Sequence, residues 1–85
     1  MRVRALFFGR LKDITRTAED SLEVPEGTDL QALFDRYARQ FPELAALERS
    51  TVLARNRRIA ERSECLSEGD EVAFLPPVSG GFKQK

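Results

Sequence analysis

The chemistry available to this chain is concentrated near its C-terminus, in Leu75-Pro76-Pro77-Val78-Ser79-Gly80-Gly81. Glycine has no Cβ, so its backbone passes where any other residue would clash. Gly80 and Gly81 together therefore make a tail suited to a narrow channel in another protein. From Pro76 to Gly81 such a tail reaches about 20 Å when extended. Ordering it on binding costs about 1–2 kcal/mol per residue, and Pro76-Pro77 lowers that cost because it is already extended. Val78 supplies one apolar anchor, and Ser79 continues the thread toward the glycines. If the working end is a glycine carboxylate, Gly81 is the residue to carry it. Phe82-Lys83-Gln84-Lys85 follows it and stands in the way of that use.

Other catalytic arrangements find no support in the composition. There is no histidine, so no histidine-based general base or metal triad can be assembled. Cys65 is the sole cysteine; without histidine, such a residue is far more often a packed or surface thiol than a nucleophile. The carboxylates are scattered, and no spacing matches a metal-ligand set. One basic cluster stands out: Arg55, Arg57 and Arg58, with Arg49 and Arg62 nearby. It reads as a solvated turn or as a dock for an acidic partner, since Arg forks pair well with carboxylates. No aromatic residues interleave it, which argues against a nucleic-acid surface.

The elements that must position the tail follow from the hydrophobic pattern. Val3 to Phe8 alternates as a strand, with Val3, Ala5 and Phe7 on one face and Arg4, Leu6 and Phe8 on the other. Gly9 closes it, and Arg10 to Ile14 forms a short helical turn. Ser21 to Val24 is a second strand, hairpinned to the first and stopped by Pro25-Glu26-Gly27. Leu30, Leu33, Phe34, Tyr37, Ala38 and Phe41 recur at helical spacing, predicting one amphipathic helix. Thr28 is its expected N-cap, with Gln31 completing a capping box, and Pro42 ends it. Leu44 and Leu47 pack from a further short turn. Val52 to Ala54 and Ile59-Ala60 are short strands around Asn56. Glu68-Gly69-Asp70 turns the chain into a last strand, Glu71 to Leu75, with Val72 and Phe74 on one face and Ala73 and Leu75 on the other.

One amphipathic helix over a small mixed sheet is an α+β roll. The β-grasp arrangement fits, with the first and last strands side by side in the centre. One helix cannot cover both faces of a sheet. Phe8, Ile59 and Leu75 fall by parity on the face away from it; they are either covered by loops or form an apolar protein-binding surface, and the uncovered sheet face favours the surface. The reading divides the chain into a β-grasp domain at 1–75, a working tail at 76–81 and an extension at 82–85.

With 85 residues, 41% hydrophobic and 33% charged, the chain is one small soluble domain with little room for an enclosed active site. Its formal net charge is zero; without residues 82–85 the remainder carries 12 basic and 14 acidic side chains, net −2. That balance points away from nucleic acid as the partner. No stretch has the length of a membrane span or of a signal-peptide core, and a lone cysteine fits a reducing compartment, so a cytoplasmic location is expected.

The segment Glu68-Gly69-Asp70-Glu71-Val72-Ala73-Phe74-Leu75-Pro76-Pro77-Val78-Ser79-Gly80-Gly81 closely resembles the C-terminus of the molybdopterin synthase small-subunit family, the ubiquitin-like sulfur carriers of molybdenum cofactor synthesis. Val3 to Phe8 looks like the family's first strand, and Asn56 sits where the family commonly has Asn in a hairpin. The resemblance covers residues 1–81. The related thiamine sulfur carrier is shorter and lacks the Pro-Pro-Val element. The resemblance implies a non-catalytic carrier subunit that binds no cofactor of its own. An ATP-consuming adenylating and sulfurtransferase enzyme would activate the Gly81 carboxylate as an acyl-adenylate and convert it to a thiocarboxylate. The thiocarboxylate would then donate sulfur to the cyclic pyranopterin precursor inside the large subunit of molybdopterin synthase, in a heterotetramer. Phe8, Ile59 and Leu75 align with the family's docking surface.

Family members ordinarily end at the second glycine, and this sequence does not. Residues 82–85 are read as a precursor segment removed by a processing protease, as a fusion remnant or appended scar, or as the mark of a non-carrier paralogue. Two functions of other classes stay open beside the carrier: a ubiquitin-like modifier joined to other proteins through Gly81, and an interaction module in which Gly81 never reacts.

Overall fold

The structure, a computed structural model, describes residues 1–77. Strand β1 (Arg2–Phe7) buries Val3, Ala5 and Phe7 and exposes Arg2 and Arg4, as period-two alternation requires. The connection out of β1 carries a short helix, α1 (Arg10–Thr15), and returns as β2 (Glu19–Glu23), which pairs antiparallel with β1. The main helix α2 (Leu30–Gln40) runs into a short helix α3 (Pro42–Ala46) and a 3₁₀ turn at Glu48–Ser50. A two-residue hairpin links β3 (Val52–Arg55) to β4 (Arg58–Ile59), and β5 (Glu71–Leu75) is the last strand among the described residues.

The sheet order is β2-β1-β5-β3-β4. The first and last strands are thus central and parallel, with Ala5 opposite Val72 and Phe7 opposite Phe74. This is the β-grasp arrangement expected from the sequence. Alternation puts Phe7 and Phe74 on one face, where their rings stack with centroids 5.0 Å apart. Tyr37 from α2 meets Phe7 edge-on, also at 5.0 Å. Leu30, Leu33 and Phe34 complete the helix side of the core, with Leu11 of α1 and Leu44 of α3 closing its ends.

Two local readings of the sequence need correction. The N-cap of α2 is Asp29, not Thr28: its carboxylate accepts from the Ala32 N–H at 2.8 Å. A charged cap also complements the helix dipole. Thr28 instead donates its hydroxyl to the Pro25 carbonyl at 2.7 Å, closing the preceding turn, and Gln31 reaches Asp35 and Glu48 rather than back to the cap. The strand expected at Ile59-Ala60 begins one residue earlier. Only Asn56 and Arg57 lie in the loop, so Arg55 faces Arg58 and Ala54 faces Ile59.

Pro42 acts at the start of α3 as much as at the end of α2. Phe41 ahead of it is extended, as the residue before proline tends to be, and Pro42 then opens the next helix at its first position. No helix among the described residues is long and apolar enough to cross a membrane.

Candidate functional site

The face of the sheet away from α2 is organised in rows across the strands. One row runs Ile59, Ala54, Ala73, Leu6 and Glu19, each residue the registered partner of the next. Alanine at the two central positions keeps the floor low, while Ile59 and Leu6 stand at its sides. Toward the end of β5 the face carries Leu75, registered with Val52, and Phe8 lies just past the end of β1. The Phe8 N–H donates to the Phe74 carbonyl at 3.2 Å, which carries the β1–β5 ladder one residue further. The result is a shallow groove of about 540 Å³ whose apolar lining is Leu6, Phe8, Ala54, Ile59, Ala73 and Leu75.

Phe8, Ile59 and Leu75 do share this face. Phe8 is 44% exposed and Ile59 72%, the large apolar side chains most open to water among the described residues, while Leu75 is half-buried. Leu6, Ala54 and Ala73 belong to the same surface. Leu6 and Ala73 were available from the strand parity that selected Phe8 and Leu75. Ala54 needed the hairpin register.

The opposite end of the groove is charged. Arg4 donates to Glu19 at 3.0 Å and to Glu71 at 2.7 Å, and Arg57 lies 3.8 Å from Glu71. The groove therefore grades from a largely self-neutralised ionic end to an apolar end, and the tail leaves at the apolar end.

Pro76 lies against Gly9, which has φ +55° and would bring an added Cβ within 2.9 Å of the proline Cγ. Glycine is required there twice over, by its conformation and by the close approach. Pro76 and Pro77 are described; Val78, Ser79, Gly80 and Gly81, the remaining expected tail residues, lie outside the described residues.

The start of β5 is fixed by a buried carboxylate. Asp70 accepts from Arg55 Nε at 2.8 Å, Asn56 Nδ2 at 2.9 Å and the Ser67 N–H at 2.8 Å. Burial alone would raise its pKa. The hydrogen bonds from Asn56, Ser67 and Arg55, with the Arg55 charge, outweigh burial and hold the carboxyl below the usual carboxylate range. Asn56 also brackets the neighbouring residue, its Oδ1 accepting from the Glu71 N–H at 3.0 Å and its own N–H donating to the Glu71 carbonyl at 2.8 Å.

The basic cluster does not hold together as one surface. Arg55 serves Asp70 and Glu64. Arg62 donates to the carbonyls of Glu48 and Thr51 at 2.7 and 3.0 Å and lies over the Phe34 ring, 5.3 Å from its centre. Arg55 thus ties β3 to the segment ahead of β5, and Arg62 ties that same segment to the 3₁₀ turn and to α2. Arg49, Arg57 and Arg58 remain exposed. Cys65 is exposed and free, and no group of potential metal ligands occurs among the described residues.

The sequence matches the ThiS family over residues 5–81. It is 37% identical over 82 residues to the molybdopterin synthase sulfur carrier subunit of Mycobacterium tuberculosis, covering 95% of this chain and 99% of that protein. The chain belongs to the ThiS family, among the molybdopterin synthase sulfur carrier subunits. The fold of this ThiS-family chain is also that of the putative molybdopterin converting factor subunit 1 of Pyrococcus furiosus, with a TM-score of 0.82 at 23% identity over 92% of this chain and 99% of that one. A chain in the Helicobacter pylori complex of subunits 1 and 2 of molybdopterin-converting factor is 26% identical, with a TM-score of 0.69, covering 95% of this ThiS-family chain and all of its own length (100%).

Proposed function

We propose that this chain is the sulfur-carrying subunit of a molybdopterin synthase, working through a thiocarboxylate on Gly81. The observation that carries the reading is the continuity of the apolar groove with the root of the tail. Leu75 lines the groove, and Pro76 leaves directly from it over Gly9. A protein seated on Phe8, Ile59 and Leu75 would receive the residues that follow Pro77 at its own surface. Similarity to the sulfur carrier subunits over nearly the whole chain supports the same reading.

A carboxylate is a poor electrophile, so the chemistry needs activation by a second protein. Adenylation joins a carboxylate oxygen of Gly81 to the α-phosphorus of ATP and releases pyrophosphate. The terminal sulfur of a persulfide donor then displaces AMP at the carbonyl carbon, giving an acyl disulfide, and a second thiol attacks the donor cysteine's sulfur, forming a disulfide with it and releasing the thiocarboxylate. That sulfur is the nucleophile delivered to the cyclic pyranopterin precursor in the large subunit. The chain itself supplies docking and reach, while acid–base groups come from the partner. Gly81 can act only as the terminal residue, so residues 82–85 must be removed first.

The test is intact mass after co-expression with the activating enzyme. A species ending at Gly81, with one oxygen replaced by sulfur, that converts precursor when mixed with the large subunit is the expected result. A chain that keeps residues 82–85 and gains no sulfur would overturn the carrier reading. Isopeptide-linked species on other proteins would place the chain among modifiers instead.

A further inference from the structure

Arg57 occupies a position that favours glycine. The loop between β3 and β4 is two residues long, and both Asn56 and Arg57 have positive φ, +51° and +71°. Such hairpin turns prefer Asn followed by Gly. Asn56 is held there by its side-chain bonds to Asp70 and Glu71. The Arg57 side chain is 86% exposed, and its closest carboxylate contact among the described residues is Glu71 at 3.8 Å. A non-glycine residue kept in a left-handed conformation with so little local return points to a use outside the fold.

Its place indicates the use. Arg57 lines the same groove as Ile59 and Ala54. Arg4, the other cation of the groove, is already engaged by both Glu19 and Glu71. Arg58 is the next residue along the strand, so its side chain leaves the opposite face, beside Arg55 and Glu64. The positive charge left available to a visitor on the docking face is therefore the Arg57 guanidinium, next to the highly exposed Ile59.

We propose that Arg57 reads a carboxylate on the protein that covers this groove, the partner presenting an apolar socket for Ile59 with an acidic side chain on the lip that faces the β3–β4 hairpin. The inference rests on the carrier reading, and the large subunit of molybdopterin synthase is the probe. A rim charge of this kind acts on association more than on dissociation, and its effect is screened by salt.

The experiment measures association and dissociation rates with the large subunit, using the full chain and the chain ending at Gly81. In about 50 mM salt, Arg57→Gln is expected to lower kon about threefold and Arg57→Glu about tenfold, with both deficits closing in about 0.5 M salt. Arg49→Gln, away from the groove, keeps the wild-type rate. Arg57→Gly serves as the folding control: it is expected to melt about 3 °C higher, because strain is relieved, yet to associate as slowly as Arg57→Gln. Wild-type rates for Arg57→Gln and Arg57→Glu at low salt, or a deficit that persists in high salt, would overturn this proposal while leaving the carrier reading intact. A wild-type chain that never binds the large subunit would overturn both.

Discussion

Gly9 and Pro76 are in direct contact, so the loop that ends the first strand helps set the direction in which the last strand releases the tail. The contact joins two points far apart in sequence through the parallel pairing of β1 and β5. Gly9→Ala places a methyl group 2.9 Å from the Pro76 Cγ and forces a side chain onto φ +55°. The expected cost is about 1–2 kcal/mol, read as a lower melting temperature in thermal denaturation. In a Pro76→Ala background the overlap is gone and only the backbone strain remains, so the loss should shrink. Equal losses in the two backgrounds would show that the proline contact has no energetic weight.

Asp70 should govern the acid limb of the stability curve. Its folded pKa is depressed, so its contribution is fully present above the unfolded value near pH 4 and is lost as pH falls through the lower folded value. Asp70→Asn should destabilise the chain at neutral pH by about 2 kcal/mol, because Arg55 and the Ser67 N–H lose a charged acceptor. The difference from wild type should narrow below about pH 4 as the wild-type carboxyl itself protonates. Urea denaturation across a pH series checks both statements.

Ile59→Asp tests the docking face with little risk to the fold. Ile59 is 72% exposed and outside the core cluster, so thermal stability should change by less than about 0.5 kcal/mol. Placing a charge in an apolar contact should nevertheless weaken binding to the large subunit at least about tenfold. Calorimetric titration gives the affinity. Unchanged affinity would remove the groove from the interface.

Ending the chain at Gly80 separates carrier chemistry from folding. Sulfur loading by the activating enzyme should disappear while the melting temperature stays within about 1 °C of the chain ending at Gly81, because the shortened chain keeps all five strands, the last of them Glu71–Leu75, and the whole core cluster from Val3 to Phe74. Mass spectrometry reads the first outcome and scanning calorimetry the second.

Much of this was legible in the sequence where a strict period was present. The alternation of Val3, Ala5 and Phe7 against Leu6 and Phe8, and of Val72 and Phe74 against Ala73 and Leu75, assigned both central strands and both sheet faces. The i, i+3, i+4 stripe from Leu30 to Phe41 located α2. What escaped depended on contacts between distant segments. Thr28 and Asp29 are both good capping residues. Which one caps is decided by the Pro25 carbonyl, which takes the threonine hydroxyl. Five arginines close in sequence looked like one patch, but Asp70 and two backbone carbonyls draw Arg55 and Arg62 into the framework. Gly9 read as a strand end; its closeness to Pro76 follows from strand pairing that no local pattern contains.

The parallel alignment of β1 with β5 also has a mechanical meaning. A pull on the residues beyond Leu75, directed along the strand against a hold on the N-terminal end of β1, loads the rungs of the central ladder together instead of opening them one after another. Traction on the tail is therefore met by the stiffest direction of the sheet. A protein that grips the end of this chain can draw the whole domain toward itself before it begins to unravel it.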